Sequence, residues 1–364
     1  MSHLAAKILF VASSAAFPAR LWARRFATHH LARRPRARLA AVARHAVGLQ
    51  AQDVGAVRLS ARARSSSLTL PVVRREKTVV RTWLMRGTLH LVAVEDVRWL
   101  LSLFGDRNIR AGARRRSDLG LDDRTCARAL DVLPDVLRGR SLSRAEIVAE
   151  LARRRVRIDP AGQAPAHLMA YAASSAVICR GPDLDGDEPG YVLLDEWAPA
   201  AAPSADEALA LLARRYLTAF GPAAPEDLAA WSGLPLGDAR KAWSAVGADL
   251  VDDRGGLSLL PGTSQPVDGP VLRLLPAYDT YLLGYRQRPV PAAYAKRIQA
   301  GGGVLHPSVV VDGRIGGRWK LTRSKKGVTV GVEPFGTALD GLGDLLEAEV
   351  ADLGRFLGEP ASLV

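Results

Sequence analysis

Gln50 and Gln52 flank Ala51 in the stretch GLQAQD and are the first amide side chains in the chain. An amide neither gives up nor takes a proton near neutral pH, so the pair offers hydrogen-bond acceptors and donors and no acid–base chemistry. Read alone, the two glutamines can equally polarise the end of a helix. Three titratable residues stand as possible accessories: Asp53, His90 in GTLHLV and Asp279 in AYDTY. Asp53 can support a nearby cation, but it can also cap a helix or pair with an arginine. On a strand His90 alternates with Leu89 and Leu91, which suits a packed, hydrogen-bonded imidazole as well as a catalytic one. Asp279 can face a polyanion-binding surface or be tied to local backbone.

The spacing of the glutamines sets a demand on the elements that hold them. Residues two apart on a helix diverge by roughly 200°. Both amides can reach one point only if the chain leaves helical geometry or the pair sits at a helix end, and Gly48 and Gly55 flank it where such a break can form. Upstream, Leu39, Val42, Ala46 and Leu49 recur at helical spacing. Thr82 to Val92, TWLMRGTLHLV, carries β-formers around Gly87 and predicts a hairpin. Ser143 with Glu146, and Ser204 with Glu207, form S-x-x-E capping boxes that predict helix starts. GYVLLDEW predicts a strand, with a turn in GPDLDGDEPG before it. The stretch APEDLAAWSGLPLGDARKAWSAV reads as two short helices about a Gly-Leu-Pro turn, followed by a wing in DLVDDRGGLSLLP. Helices followed by a β wing thus recur three times, ahead of a β-rich, basic last hundred residues closed by an amphipathic helix. That helix carries most of the local acid and is expected to pack on the body, away from phosphates.

We therefore expect an α+β, mainly helical chain of tandem winged-helix (helix-turn-helix) units with a β-rich C-terminal part. The boundaries are 1–135 for the first unit, which carries Gln50 and Gln52, then 136–200, 201–269 and 270–364.

Charge points to the partner. Lysine plus arginine number 50 against 37 for aspartate plus glutamate, a net +13, and no carboxylate precedes Asp53. Coding bias explains abundant arginine, but not a first third this one-sided, which reads as a phosphate-facing surface. Cys126 and Cys179 have no metal-type spacing, so no metal, cofactor or disulfide is expected and a reducing cytoplasm fits. KILFVASSAAF is a short apolar run followed directly by arginines, which argues against export, and no segment reaches membrane-spanning length. The expected setting is cytoplasmic and nucleoid-associated, with the protein a monomer on double-stranded DNA and no membrane partner.

Four separated segments, GLQAQ, RTWLMRGTLHLV, LLPAYDTYLLGYRQR and HPSVVVDGRIGGRW, together resemble the winged-helix DNA glycosylases of the AlkZ/AlkX type across nearly the whole chain. The resemblance implies a catalytic Gln-apolar-Gln, matched by Gln50 and Gln52; the AlkX branch has aspartate at the second position, so this chain looks like the AlkZ branch. It implies tandem winged-helix domains around a basic concave channel, and hydrolysis of the N-glycosidic bond of alkylated purines, including N7 adducts and interstrand crosslinks, in repair or self-resistance. A purine alkylated at N7 leaves as a neutral base, so no general acid is needed, unlike ordinary glycoside hydrolysis. Two amide carbonyls can then orient a water and face the developing cation. Candidate DNA contacts are Arg286, Arg288, Arg314, Arg318, Lys320, Lys325 and Lys326, the last two at a predicted hairpin tip. Tyr278, Tyr281 and Tyr285 can stack on bases, although their i, i+3, i+7 spacing suits a core stripe. The rival reading is a winged-helix regulator without enzymatic activity, with recognition helices facing outward in a symmetric dimer.

Overall fold

The computed structural model describes residues 19–198, 203–263 and 265–364; KILFVASSAAF lies outside them. The helix carrying Leu39 and Val42 is short, Leu39–His45, because the chain turns abruptly after it. Val47 (φ 53°) and Gly48 (φ 100°) are both left-handed. At Gly48 a Cβ would lie 3.0 Å from Val92 Cγ1, so conformation and space together call for glycine. Ala46 is buried beyond the helix end, and Leu49 begins strand β1 (Leu49–Gln50). The expected break is therefore real on the Gly48 side. Gly55 plays no part in it, since it is the second residue of the helix Val54–Arg62.

β1 lies at the edge of a five-stranded antiparallel sheet with β2 (Val79–Trp83), β3 (Leu89–Ala93), β4 (Ile178–Asp183) and β5 (Pro189–Leu193), in the order β1-β3-β2-β4-β5. β2 and β3 form the predicted hairpin, from Val79↔Ala93 to Trp83↔Leu89. Its turn, Met85–Gly87, holds Arg86 (φ 55°) and Gly87 (φ 68°) left-handed. The second hairpin, β4–β5, joins the first through Arg81↔Arg180. Alternation sorts the side chains. Val80 and Val92 enter a large core with Phe104 and Leu100, while Leu49, Val79, Leu89 and Leu91 enter a separate one with Leu39 and Val57. Each such buried side chain contributes about 1.5–3 kcal/mol, so a one-residue slip of β3 would exchange two cores at once.

Both capping boxes form, Ser143 with Glu146 on the helix Arg144–Arg153 and Ser204 with Glu207 on Ala205–Phe220. Two further helices, Pro225–Ser232 and Leu236–Ala245, meet at Gly233 in the left-handed conformation. The two-stranded hairpin β6 (Val251–Asp253) and β7 (Leu257–Leu259) follows them. Two short strands, β9 (Gln299–Gly301) and β10 (Val304–Leu305), pair with each other. A C-terminal sheet runs β14-β13-β12-β11-β8, with β8 Leu272–Leu275, β11 Ser308–Val311, β12 Arg314–Ser324, β13 Gly327–Pro334 and β14 Ala361–Leu363.

The closing helix Gly343–Leu357 packs Leu346, Val350 and Leu353 against Leu272 and Leu274. Its Glu349 is 2% exposed and accepts hydrogen bonds from Arg62 Nη2 (3.0 Å), Arg273 Nη1 (3.3 Å) and the Leu274 amide (3.2 Å). This acid is consumed in joining the last helix to Val54–Arg62. No helix among the described residues is long and apolar enough to cross a membrane.

Candidate active site

Gln50 stands on the extended backbone of β1, and Gln52 lies at the bend between that strand and the helix Val54–Arg62. Gln50 pairs with His90 across β1 and β3, and the ladder continues as the Ala51 amide donates to Leu89 O at 2.7 Å. Side chains alternate on such a chain, and Ala51 is fully buried while Gln50 is half-buried and Gln52 exposed. The helical divergence of about 200° therefore does not arise.

Gln50 is held at both ends. Its amide donates to Thr280 Oγ1 at 3.3 Å, and that hydroxyl reaches Gly48 O at 3.5 Å. At the other end Arg86 Nη2 donates to Gln50 Oε1 at 3.1 Å. Desolvation by the surrounding protein, with repulsion from Arg288, lowers the Arg86 pKa to about 10. Arg86 is exposed and remains a cation at neutral pH. Its turn is braced from behind, where a Cβ on Gly233 would lie 3.0 Å from Arg86 Cγ. Asn108 Nδ2 adds donors to Trp83 O (3.2 Å) and Leu84 O (2.9 Å).

His90 lies in a row with Gln50 and Thr82 on one face of the sheet, because β3 pairs both neighbours at that position. The imidazole is 2% exposed, and burial, then Arg86, push its pKa down to about 3. A ring this reluctant to protonate is neutral, so its contact with Thr88 O (2.9 Å) makes Nδ1 the protonated nitrogen and leaves the lone pair on Nε2. Here the structure narrows the accessory role: His90 is no general acid near neutral pH.

For the two carboxylates the structure shows the local bonding that the sequence also allowed. Asp53 is the N-cap of Val54–Arg62, its Oδ1 accepting from the Ala56 amide at 2.7 Å, as an aspartate before a helix favours. Asp279 is 1% exposed and fully engaged. Arg64 donates to both its oxygens (2.7 and 2.9 Å), Ser60 Oγ to one (2.6 Å) and the Tyr281 amide to the other (2.9 Å). It thus sets the loop that presents Thr280 to Gln50 rather than facing DNA. Tyr281 and Tyr285 are buried among Trp22, Phe26 and His29 in edge-to-face contacts, which removes them as stacking platforms. Tyr278 is half-buried with a left-handed backbone.

The basic candidates divide. Arg286 is exposed, with its amide bound to Asp227 Oδ1 (3.0 Å). Arg288 lies close enough to Arg86 to depress its pKa and donates to Gln299 Oε1. Arg314 and Lys320 are exposed on β12. Lys325 and Lys326 form the exposed two-residue tip between β12 and β13, closed by Ser324↔Gly327, as the turn composition suggests. Arg318 is less available, because its guanidinium is paired with Glu333 and donates to Arg297 O (3.2 Å). The sequence reading passed over Arg86 and Thr280 as individuals. Arg86 is one of many cations in the first third of the chain, and nothing local distinguishes a threonine 230 positions from its partner.

Comparison with known proteins shows the family. The family model described as DNA glycosylase AlkZ-like matches residues 43–356, a span that includes Gln50, Arg86, His90, Thr280 and Arg288. A curated protein from Streptomyces sahachiroi, an interstrand DNA cross-link repair glycosylase, is 26% identical over 309 residues, covering 78% of this chain and 82% of that protein. The solved structure of Streptomyces sahachiroi DNA glycosylase AlkZ superposes with a TM-score of 0.78 over 95% of this chain and 99% of that one, at 24% identity, which speaks for the fold. A family match over this length leaves no support for the regulator reading, and the chain belongs to the AlkZ-like DNA glycosylase family.

Proposed function

We propose that the protein is a monofunctional DNA glycosylase, acting as a monomer on duplex DNA, that hydrolyses the N-glycosidic bond of N7-alkylated purines, including bulky adducts and interstrand crosslinks. The observation that carries this reading is Gln50 on extended backbone, its backbone N–H bound to Thr280 and its side-chain carbonyl held by Arg86. A carbonyl oxygen has two acceptor directions, and Arg86 uses one. The other is available to a water approaching C1′ of the sugar, with Gln52 one residue past Ala51 as the second acceptor. The nucleophile is placed, not deprotonated, and the gain is positional and electrostatic. The cationic purine departs neutral, so the chemistry needs no carboxylate to protonate the leaving base. The cross-link activity named for the Streptomyces sahachiroi relative supports the inclusion of crosslinked substrates.

In this reading the helices and the hairpins β2–β3, β4–β5 and β6–β7 are three winged-helix units, within 1–135, 136–200 and 201–269, ahead of the β-rich part 270–364. Arg286, Arg288, Arg314, Lys320, Lys325 and Lys326 contact DNA, while Arg318 acts through its pairing with Glu333.

The test is incubation with duplexes containing N7-methylguanine or a purine crosslink, scoring released base and alkali-labile abasic sites. Strand cleavage without alkali, or a borohydride-trapped covalent complex, would replace the monofunctional assignment with a lyase. Gln50→Ala and Gln52→Ala should each lower single-turnover excision by on the order of 10²-fold. The exposed Gln52 change should leave stability within ~0.5 kcal/mol. Wild-type turnover in both variants would remove the catalytic assignment.

A further inference from the structure

Six arginines are buried among the described residues: Arg25, Arg58, Arg62, Arg64, Arg81 and Arg116. Five are paired with carboxylates, to Asp227, Asp183 and Asp187, Glu349 and Asp352, Asp279, and Asp183 respectively. That is the usual requirement for a cation removed from water. Arg116 departs from the pattern. It is 7% exposed, and no carboxylate among the described residues lies within ion-pair distance. Its guanidinium sits 4.6 Å from the centre of the Tyr171 ring. Gly112 permits this placement, since a Cβ there would lie 2.8 Å from Arg116 Nη1.

Arg116 faces an open cleft whose walls include Arg86, Arg107, Arg110, His167 and Tyr171 and contain no aspartate or glutamate. Arg107 alone of these arginines has a carboxylate nearby, Asp238 at 3.5 Å. Nearby Arg115 and Arg116, after burial, lower the His167 pKa, so the positive field reaches across the cleft. Arg86 belongs to two places at once: it lines this cleft and donates to the Gln50 carbonyl.

We propose that the cleft is a phosphodiester site in which Arg116, Arg110 and Arg86 hold one backbone phosphate of the duplex beside the lesion. The site rests on the reading of the substrate as DNA and adds where one phosphate is held. A phosphate supplies the anion that Arg116 lacks within the protein, and the guanidinium fork matches its geometry. Because Arg86 is shared, the guanidinium that meets a phosphate in the cleft is the one that fixes the Gln50 carbonyl, whose other acceptor direction faces the water. Binding of the flanking backbone and readiness of the water site are thereby linked.

The experiment measures affinity for unmodified duplex as a function of salt, so that it needs no excision. Arg116→Met and the exposed Arg110→Gln should each bind about tenfold more weakly and flatten the log–log salt slope by about 0.9, the value of one phosphate contact. Arg116→Lys should recover part of the loss. A set of lesion-containing duplexes, each with one methylphosphonate, identifies the phosphate. At one linkage the neutral group should weaken the wild type about tenfold and Arg116→Met hardly at all, since contacts sharing one partner are not additive. Inorganic phosphate at matched ionic strength should compete no better than chloride; specific competition by it would reassign the site to a free anion. Wild-type affinity and slope in both Arg110→Gln and a folded Arg116→Met, or methylphosphonate effects that simply add at every linkage, would overturn the proposal. If Arg116→Met does not fold, Arg110→Gln and the same duplex set decide alone. Failure of the wild type to release any base would count against the proposed chemistry and leave this result standing.

Discussion

A water held by amides needs no titrating group, and this can be tested by pH. His90 is the imidazole nearest the centre, and its folded-state pKa of about 3 lies below the ordinary 6.5. Arg86, at about 10, stays charged over the same range. Single-turnover excision at saturating protein should therefore be flat from about pH 5.5 to about pH 8.5, where a general acid and base would give a bell. Stability should not be flat. The sign follows from linkage: below 6.5 the unfolded chain binds a proton that native His90 refuses until about 3, so stability falls as pH falls through that window. The full shift is worth about 5 kcal/mol, and between about pH 7.5 and about pH 5 it amounts to about 2 kcal/mol. His30, lowered to about 4, and His29 and His45, lowered chiefly by burial, act in the same direction. Urea unfolding at several pH values should show this slope, and His90→Leu should remove about 2 kcal/mol of it over that interval. The slope is the readout, so a uniform change in stability in the variant does not confuse it. A rate profile with an apparent pKa between about 6 and 8 that disappears in His90→Leu would refute the reasoning, because an imidazole would then be moving a proton in the reaction.

Three other substitutions separate support from chemistry. Asp279→Asn strands the buried Arg64 cation and should cost about 3–5 kcal/mol, read as a fall in Tm or in folded yield. Unchanged melting would mean that the pair does not hold the Thr280 loop. Asp53→Ala removes a helix cap and should cost about 1 kcal/mol, with excision per folded molecule within about twofold of wild type. A large loss of rate without a loss of Tm would return Asp53 to the chemistry. Arg86→Ala removes the donor that fixes the Gln50 carbonyl as well as a cleft cation, so it should bind duplex DNA about tenfold more weakly and lower the saturated single-turnover rate by about tenfold. A rate loss on the order of 10²-fold at saturation would instead place Arg86 in the transition state itself.

Much of the local structure could be read directly. Ser143 with Glu146 and Ser204 with Glu207 cap helices through bonds that span three residues. The β2–β3 hairpin and the Lys325–Lys326 tip follow from alternation and turn residues, which are also short-range. The need for a break before Gln50 was visible as a geometric constraint on residues two apart. Its location was visible only in part, because Gly48 and Gly55 look alike in sequence, and the approach of Val92 decides which of them must be glycine.

What the sequence by itself determined is the set of short elements, the excess of positive charge and the pair of neutral amides with Ala51 between them. Only the tertiary structure decided what those amides touch. Arg86 reaches the Gln50 carbonyl through a turn braced by Gly233, and Thr280 meets the Gln50 backbone N–H from 230 positions away. It also decided which charges are spent inside the protein: Asp279 on Arg64, Glu349 on Arg62 and Arg273, Arg318 on Glu333. Composition counts charges, but a charge acts on a partner only when folding leaves it unneutralised within reach. Burial and pairing are properties of distance in space, which the order of residues along the chain does not carry.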